Sequence, residues 1–264
     1  MYIHFVDVGQ GDCTFIQTRN NKKILIDGGG NEIEEDYVGE NILLPYLLNR
    51  RSKVIDYIFI SHFDSDHCQG LLYVMQNIKV KNVIISKQFE YNENYKKFLK
   101  IAKQEKINIK IANKGDKIYI EKNLYFEVLW PDAIEPISDN KMNNNSLVCK
   151  MVYKKFSILF TGDIEKIAEE KIIETYKNET NKLKATIIKI PHHGSKTSST
   201  MDFIEKVKPQ EALIGVGKKN KFGHPAITTI QTLQNQNIKI YRTDEMGEIT
   251  IETNGKKYKV TKLL

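Results

Sequence analysis

Three cysteines in 264 residues, an odd number with no Cys-x-x-Cys pair, exclude a disulfide framework. Long apolar runs are missing as well. No window approaches the ~20 residues needed to cross a bilayer, and no leader-like segment precedes the strand-like opening Met1-Tyr2-Ile3-His4. The expected location is therefore cytoplasmic, with no membrane segment. No Gly/Ser/Pro-rich linker breaks the chain, so one domain is expected over 1–264. The run Gly28-Gly29-Gly30 lacks the spacing of a dinucleotide fingerprint and no Gly-Lys-Ser/Thr occurs, which excludes the common nucleotide-cofactor sites. Histidine is scarce: there are 6, and none stands between His67 and His192.

What is present describes a globular protein. The chain is 41% hydrophobic and 28% charged, enough for a substantial core. A net charge of +7 and a pI near 9.0 suit a polyanionic partner, with nucleic acid the expected one, although the lysines are dispersed along the chain.

The most informative stretch is Ser61-His62-Phe63-Asp64-Ser65-Asp66-His67. It follows 54–60, dense in β-branched and aromatic residues and read as a buried strand; Leu71, Leu72 and Met75 then suggest a helix. Single His or Asp residues on a loop are ordinarily solvated. Four of them (His62, Asp64, Asp66, His67) on one strand-to-helix turn can converge, and imidazole with carboxylate is the usual donor set for divalent first-row metals. Cys68 reads as a small buried residue.

The remaining pattern alternates. Two strands joined by a turn at Gly9-Gln10-Gly11 are expected in 1–30, with Asp27 ending the second. Strands at 79–86, 146–153, 156–161, 185–190 and 211–216 interleave with helices at 92–105, 164–176 and 199–207. Further strands are expected near 238–242 and 248–252. This predicts a layered α/β protein. Asp163 and the pair His192-His193 fall at strand ends, where sites of α/β sheets gather. Trp130 and the tyrosines are read chiefly as core, with base stacking as the alternative.

The spacing His-x-Asp-x-Asp-His resembles the signature of the metallo-β-lactamase superfamily, His-x-His-x-Asp-His, with Asp64 in place of the second His. That replacement resembles the ComEC-like branch, the hydrolase domain of a DNA-uptake competence protein. Other pieces occur in order: Val6-Asp7-Val8-Gly9-Gln10-Gly11-Asp12, Leu25-Ile26-Asp27-Gly28-Gly29-Gly30, Asn145-Ser146-Leu147-Val148, Thr161-Gly162-Asp163, Pro191-His192-His193-Gly194-Ser195 and Gly223-His224-Pro225. The resemblance implies a four-layer αβ/βα sandwich and a phosphodiesterase or nuclease using two divalent ions and an activated water. It implies that Asp66, His67 and one of His192 or His193 hold one ion, that Asp163 bridges, and that His62 and Asp64 hold the other. His193 is the preferred member of the pair.

By the same resemblance Asp66, Asp163 and His224 are the catalytic candidates, with His224 donating to the leaving oxygen or holding a phosphate. Ser195, Lys196 and Asn220 are candidate phosphate contacts; Asp7, Asp27 and Asn145 are expected to orient ligands, with capping of the glycine turns the alternative for Asp7 and Asp27. The branch lacks a third-motif His, and Asn143-Asn144-Asn145 stands there. Oxygen donors therefore weigh heavily, favouring Mn²⁺ or Mg²⁺ over Zn²⁺. Two other readings are hydrolysis of a non-nucleic-acid phosphodiester such as a phosphorylcholine ester, and an idle binding module.

Overall fold

The computed structural model describes residues 1–31, 33–179 and 181–262. The chain first lays down β1 (Tyr2–Phe5), β2 (Thr14–Gln17), β3 (Lys23–Ile26), β4 (Val54–Phe59), β5 (Lys79–Ser86) and β6 (Asn108–Ala112), all in one sheet. A second sheet follows: β7 (Lys117–Glu121), β8 (Leu124–Trp130), β9 (Val148–Tyr153), β10 (Phe156–Phe160), β11 (Ile187–Lys189), β12 (Glu211–Ile214) and β13 (Lys239–Arg242). The chain then returns to the first sheet with β14 (Ile249–Thr253) against β1 and β15 (Tyr258–Lys262) at the edge.

Each sheet is antiparallel over one half and parallel over the other; β3 to β6 and β10 to β13 are the parallel runs. Strands of that kind are buried on both faces, which is why 54–59 and 187–189 carry almost no polar alternation. Successive residues still face opposite ways. Ile24 and Ile26 enter the core between the sheets, where Phe59 meets Phe126 with ring centroids 4.3 Å apart. Leu25 enters a second core beneath α1 (Leu44–Asn49), α2 (Ser65–Asn77) and α3 (Glu93–Gln104). In the other sheet Ile187 faces the inter-sheet core and Ile188 faces helices. Those helices are α5 (Lys166–Thr175), α6 (Met201–Val207) and α7 (Ile227–Asn235); the single-turn α4 (Lys141–Asn144) precedes β9, and the single-turn α8 (Thr243–Met246) precedes β14. Helix, sheet, sheet, helix is the four-layer sandwich.

Two local expectations are corrected. The first thirty residues hold three strands, not two, because Thr18 and Asn21 close a polar turn between β2 and β3, with Asn21 left-handed at φ 63°. No strand is expected after 248–252, yet β15 follows, an edge strand whose lysines leave little apolar alternation. Among the described residues no helix is long and apolar enough to cross a membrane.

Candidate metal centre

The chemistry-bearing turns all leave the carboxyl ends of parallel strands, joined by the loop between β1 and β2. β4 runs directly into the His/Asp turn, and α2 starts at Ser65, placing Asp66 and His67 in its first turn and Asp64 at its N-cap. β10 delivers Thr161-Gly162-Asp163. β11 delivers Pro191 and the His pair, both left-handed at φ 50° and 52°.

Four buried side chains converge: Asp12, His67, Asp163 and His193 offer donor atoms that all lie within 4.8 Å of one another. His67 Nε2 is 3.2 Å from His193 Nε2 and 3.2 Å from Asp163 Oδ1; His193 Nε2 is 3.3 Å from Asp163 Oδ2. Asp66 Oδ2 joins at 3.2 Å from His193 Nε2. Beside this group His62 Nε2 lies 3.6 Å from Asp64 Oδ2, with the His62 and His67 ring centroids 4.1 Å apart.

The imidazoles are aimed from behind. Asp27 Oδ2 takes His67 Nδ1 at 3.0 Å, and the same carboxylate accepts from the backbone N–H and hydroxyl of Ser61, each at 2.8 Å. His193 Nδ1 donates to the Gly215 carbonyl at 2.8 Å, and Ser61 Oγ sits 2.9 Å from His62 Nδ1. Each ring thus turns Nε2 inward. Glycine makes the convergence possible. At Gly11 (φ 129°) an added Cβ would stand 2.2 Å from the Asp66 carbonyl, which accepts from Asp12 N at 3.2 Å. At Gly30 it would stand 1.8 Å from the Ser65 carbonyl.

Two participants were not foreseen. Asp12 carries no expected role, yet it stands just before the apolar run of β2, whereas Asp7-x-Gly9 has the spacing of an Asx turn. Lys189 looked like an ordinary strand residue. Its buried Nζ pairs with Asp12 Oδ2, lies 3.3 Å from Asp163 Oδ1 and donates to the Gly162 carbonyl at 2.9 Å. Asn143, a buried residue of the cleft wall, has an Oδ1 with no hydrogen-bond partner among the described residues.

Several expected roles are corrected by placement. Asp7 is exposed and its Oδ1 accepts from Gly9 N at 3.1 Å, so it caps the glycine turn and reaches no imidazole. Asn145 spends its amide on Ile137 N, Ile137 O and Lys141 O, bracing a loop. The Ser195 hydroxyl turns to Thr197 at 3.0 Å, and Lys196 is exposed away from the cleft lining. Asn220 holds the backbone of Gly217, Phe222 and His224 through four hydrogen bonds, so it shapes the His224 loop and has no amide left for a phosphate. His192 stays outside the cluster, its Nδ1 3.5 Å from Glu165 Oε1. Trp130 is core, its N–H on the Asn144 carbonyl at 2.7 Å. Cys68 is fully buried.

His224 lines the cleft at ring-centroid distances of 5.6 Å from His192 and 6.4 Å from His193. Burial, with the two neighbouring histidines, lowers its pKa to about 4. A ring that is neutral at neutral pH offers one N–H to a phosphoryl oxygen. Burial brings His62 down to about 3 and Asp64 up to about 6. Burial opposes charge on Asp163, but His67, His193 and Lys189 outweigh it and hold its pKa well below the usual range. His193 is raised to about 10: burial works against the proton, and Asp163 and Asp12 overcome it. Carboxylates gathered this closely require positive charge.

A divalent cation fits that requirement. Among the described residues His62 Nε2, a buried atom, has no hydrogen-bond partner, as a nitrogen reserved for a ligand would. The donors comprise imidazoles from His62, His67 and His193 and carboxylates from Asp12, Asp64, Asp66 and Asp163, all bases that hold divalent ions.

Histidine and aspartate collected at the strand ends of a double-sheet sandwich define a metallo-hydrolase fold. The chain belongs to the metallo-beta-lactamase superfamily, whose profile matches residues 6–218. It is 34% identical to ComE operon protein 3 of Bacillus subtilis, over 94% of this chain and 32% of that protein. It is 27% identical to Recombination protein 2 of Haemophilus influenzae, over 93% and 28%, and 27% identical to Competence protein ComA of Neisseria gonorrhoeae, over 92% and 31%. The chain therefore spans about a third of the length of these relatives, which agree with the ComEC-like resemblance. Among solved structures, Igni18, a metallo hydrolase from Ignicoccus hospitalis, superposes with a TM-score of 0.61 at 14% identity, covering 96% of this chain and 100% of the other. Zn²⁺-bound PqqB from Methylobacterium extorquens gives 0.55 at 6% identity, over 95% and 100%.

Proposed function

We propose that this chain is a metal-dependent phosphodiesterase acting on nucleic acid. The observation that carries the reading is the convergence of Asp12, His67, Asp163 and His193, with Asp66 and the His62/Asp64 pair alongside, at the floor of a cleft of about 310 Å³. Lys218, Lys219 and Lys221 stand exposed in the loop that carries His224 at its edge, a charge pattern suited to a phosphate backbone. Relatives named for competence and recombination support the same substrate class.

His67, His193, Asp66, Asp12 and Asp163 would hold one ion, and His62 with Asp64 a second. When bound, such ions polarise phosphoryl oxygens and lower the pKa of a water nucleophile. The protein's own residues then position and exclude. Asp27 and the Gly215 carbonyl fix the imidazole tautomers. His224 donates a hydrogen bond to a phosphoryl oxygen. Asn143 lines the cleft. Four carboxylates against three imidazoles favour Mn²⁺ over Zn²⁺.

The test is chelation, reloading with Mn²⁺, Mg²⁺ or Zn²⁺, and cleavage of single- and double-stranded DNA and RNA. Cleavage should depend on the ion, be fastest with Mn²⁺, and fall at least ~10³-fold in Asp163→Asn, on the order of 4 kcal/mol of barrier. No cleavage of any nucleic acid, with a phosphorylcholine diester hydrolysed instead, would overturn the reading.

A further inference from the structure

Adjoining the metal cleft is a second, more apolar cleft of about 380 Å³ that no step above uses. Val8, Val38 and Ile42 form its floor, and Tyr37 and Phe222, residues 45% and 50% exposed, stand at its walls. The two clefts are continuous, for Gln10, Asp66 and Phe222 line both. Half-exposed aromatic rings over an apolar floor are costly to leave in water and call for a flat apolar occupant.

The rings form a ladder. His193 and His224 are stacked at 6.4 Å and 28°, and His224 and Phe222 at 5.7 Å and 26°. Phe222 is the outermost rung, two ring spacings from an imidazole of the cluster. Lys221 Nζ lies 5.3 Å over its ring, and Lys219 reaches the same cleft. Lipid or a second protein chain would meet an apolar patch interrupted by cations; a nucleotide presents a planar base for the rings and an anionic phosphate for the lysines. Every base has a π-face, so such a platform is indifferent to sequence.

We infer that this cleft is a nucleobase subsite, in which Phe222 stacks an unpaired base of the strand whose phosphodiester lies in the metal cleft while Tyr37 closes the other side. The inference rests on the phosphodiesterase reading and names which part of the substrate is held. Paired bases are stacked on their neighbours and cannot enter, so the subsite selects frayed ends or unpaired stretches.

The experiment measures binding of the whole chain, with metal chelated so that nothing is cleaved, to a labelled 12-nucleotide thymidine strand. The comparison strand is the same length and charge but abasic throughout. The parent should prefer the base-bearing strand by about 10-fold, the range expected of one stacked base. Phe222→Ala should bring the ratio close to one, and Phe222→Trp, which keeps a stacking face, should preserve it. Equal binding of the two strands by the parent, an undiminished ratio in Phe222→Ala, or a lost ratio in Phe222→Trp would overturn the inference. Ion-loaded cleavage of the two strands is read separately. If neither is cut, the phosphodiesterase reading fails, and the binding ratio still decides the subsite.

Discussion

Lys189→Met should weaken the empty protein and strengthen its hold on metal. The lysine is an internal cation wedged between Asp12 and Asp163, two carboxylates of the buried cluster that also holds His67 and His193. Methionine keeps much of the volume and removes the charge. Breaking one side of a buried ion pair costs about 3–5 kcal/mol because the other side is left uncompensated. At about 2–4 °C per kcal/mol for a chain of this size, the melting temperature in chelator should drop by roughly 6–20 °C. A bound divalent ion replaces the missing charge, so most of that loss should vanish on loading, and by linkage the variant should gain more stability from metal than the parent does. The assay is a melting curve with and without Mn²⁺, joined to titration calorimetry. If the variant binds metal more weakly than the parent, the lysine is holding the carboxylates in place, and the argument from competing charge is wrong.

Three other outcomes are expected. Gly11→Ala places a methyl against the Asp66 carbonyl at a left-handed φ, and should cost about 1–3 kcal/mol with loss of metal by elemental analysis; full metal content would show that the Asp12 loop has room. His193→Ala should lose metal and His192→Ala should keep it, and the reverse would reassign the pair. Glu248 bonds His4 at 3.0 Å and Arg50 at 2.9 Å. Burial disfavours its charge, but the bond from His4, the neighbouring Tyr46 hydroxyl and the nearby Arg50 bring its pKa down to about 2. A depressed folded pKa stabilises above the unfolded value of about 4.5 and loses that contribution as pH falls toward 2. The gap between the parent and Glu248→Gln should therefore be widest above pH 5, at most about 3 kcal/mol before screening at the partly exposed Arg50, and close in acid; a gap that does not change with pH would refute it.

The sandwich was legible because its signals are local: strand-like runs ending at His and Asp, with helical spacing between them. Asp163, His67 and His193 needed only their positions after such runs. Asp12 was harder, since two aspartates flank the Gly9-Gln10-Gly11 turn and only packing against Asp66 tells them apart. Lys189 could not be read at all. A lysine in a three-residue strand looks solvated until both carboxylates, from residues 12 and 163, are brought to it. Asn220 misled for the opposite reason, as its polar amide, free in sequence, is consumed by its own loop.

The return of the chain to its starting sheet has a temporal consequence. β1 pairs with β14 in a register that sets Tyr2 opposite Glu252. At about 5–20 residues per second the ribosome needs roughly 12–50 s to make what lies between them. Throughout that interval one side of β1 is an open row of backbone donors and acceptors, available to any passing strand. The strand that carries the Asp12 loop must wait for β14 to be made, so a nascent chain is exposed to mispairing at the segment its candidate metal centre depends on.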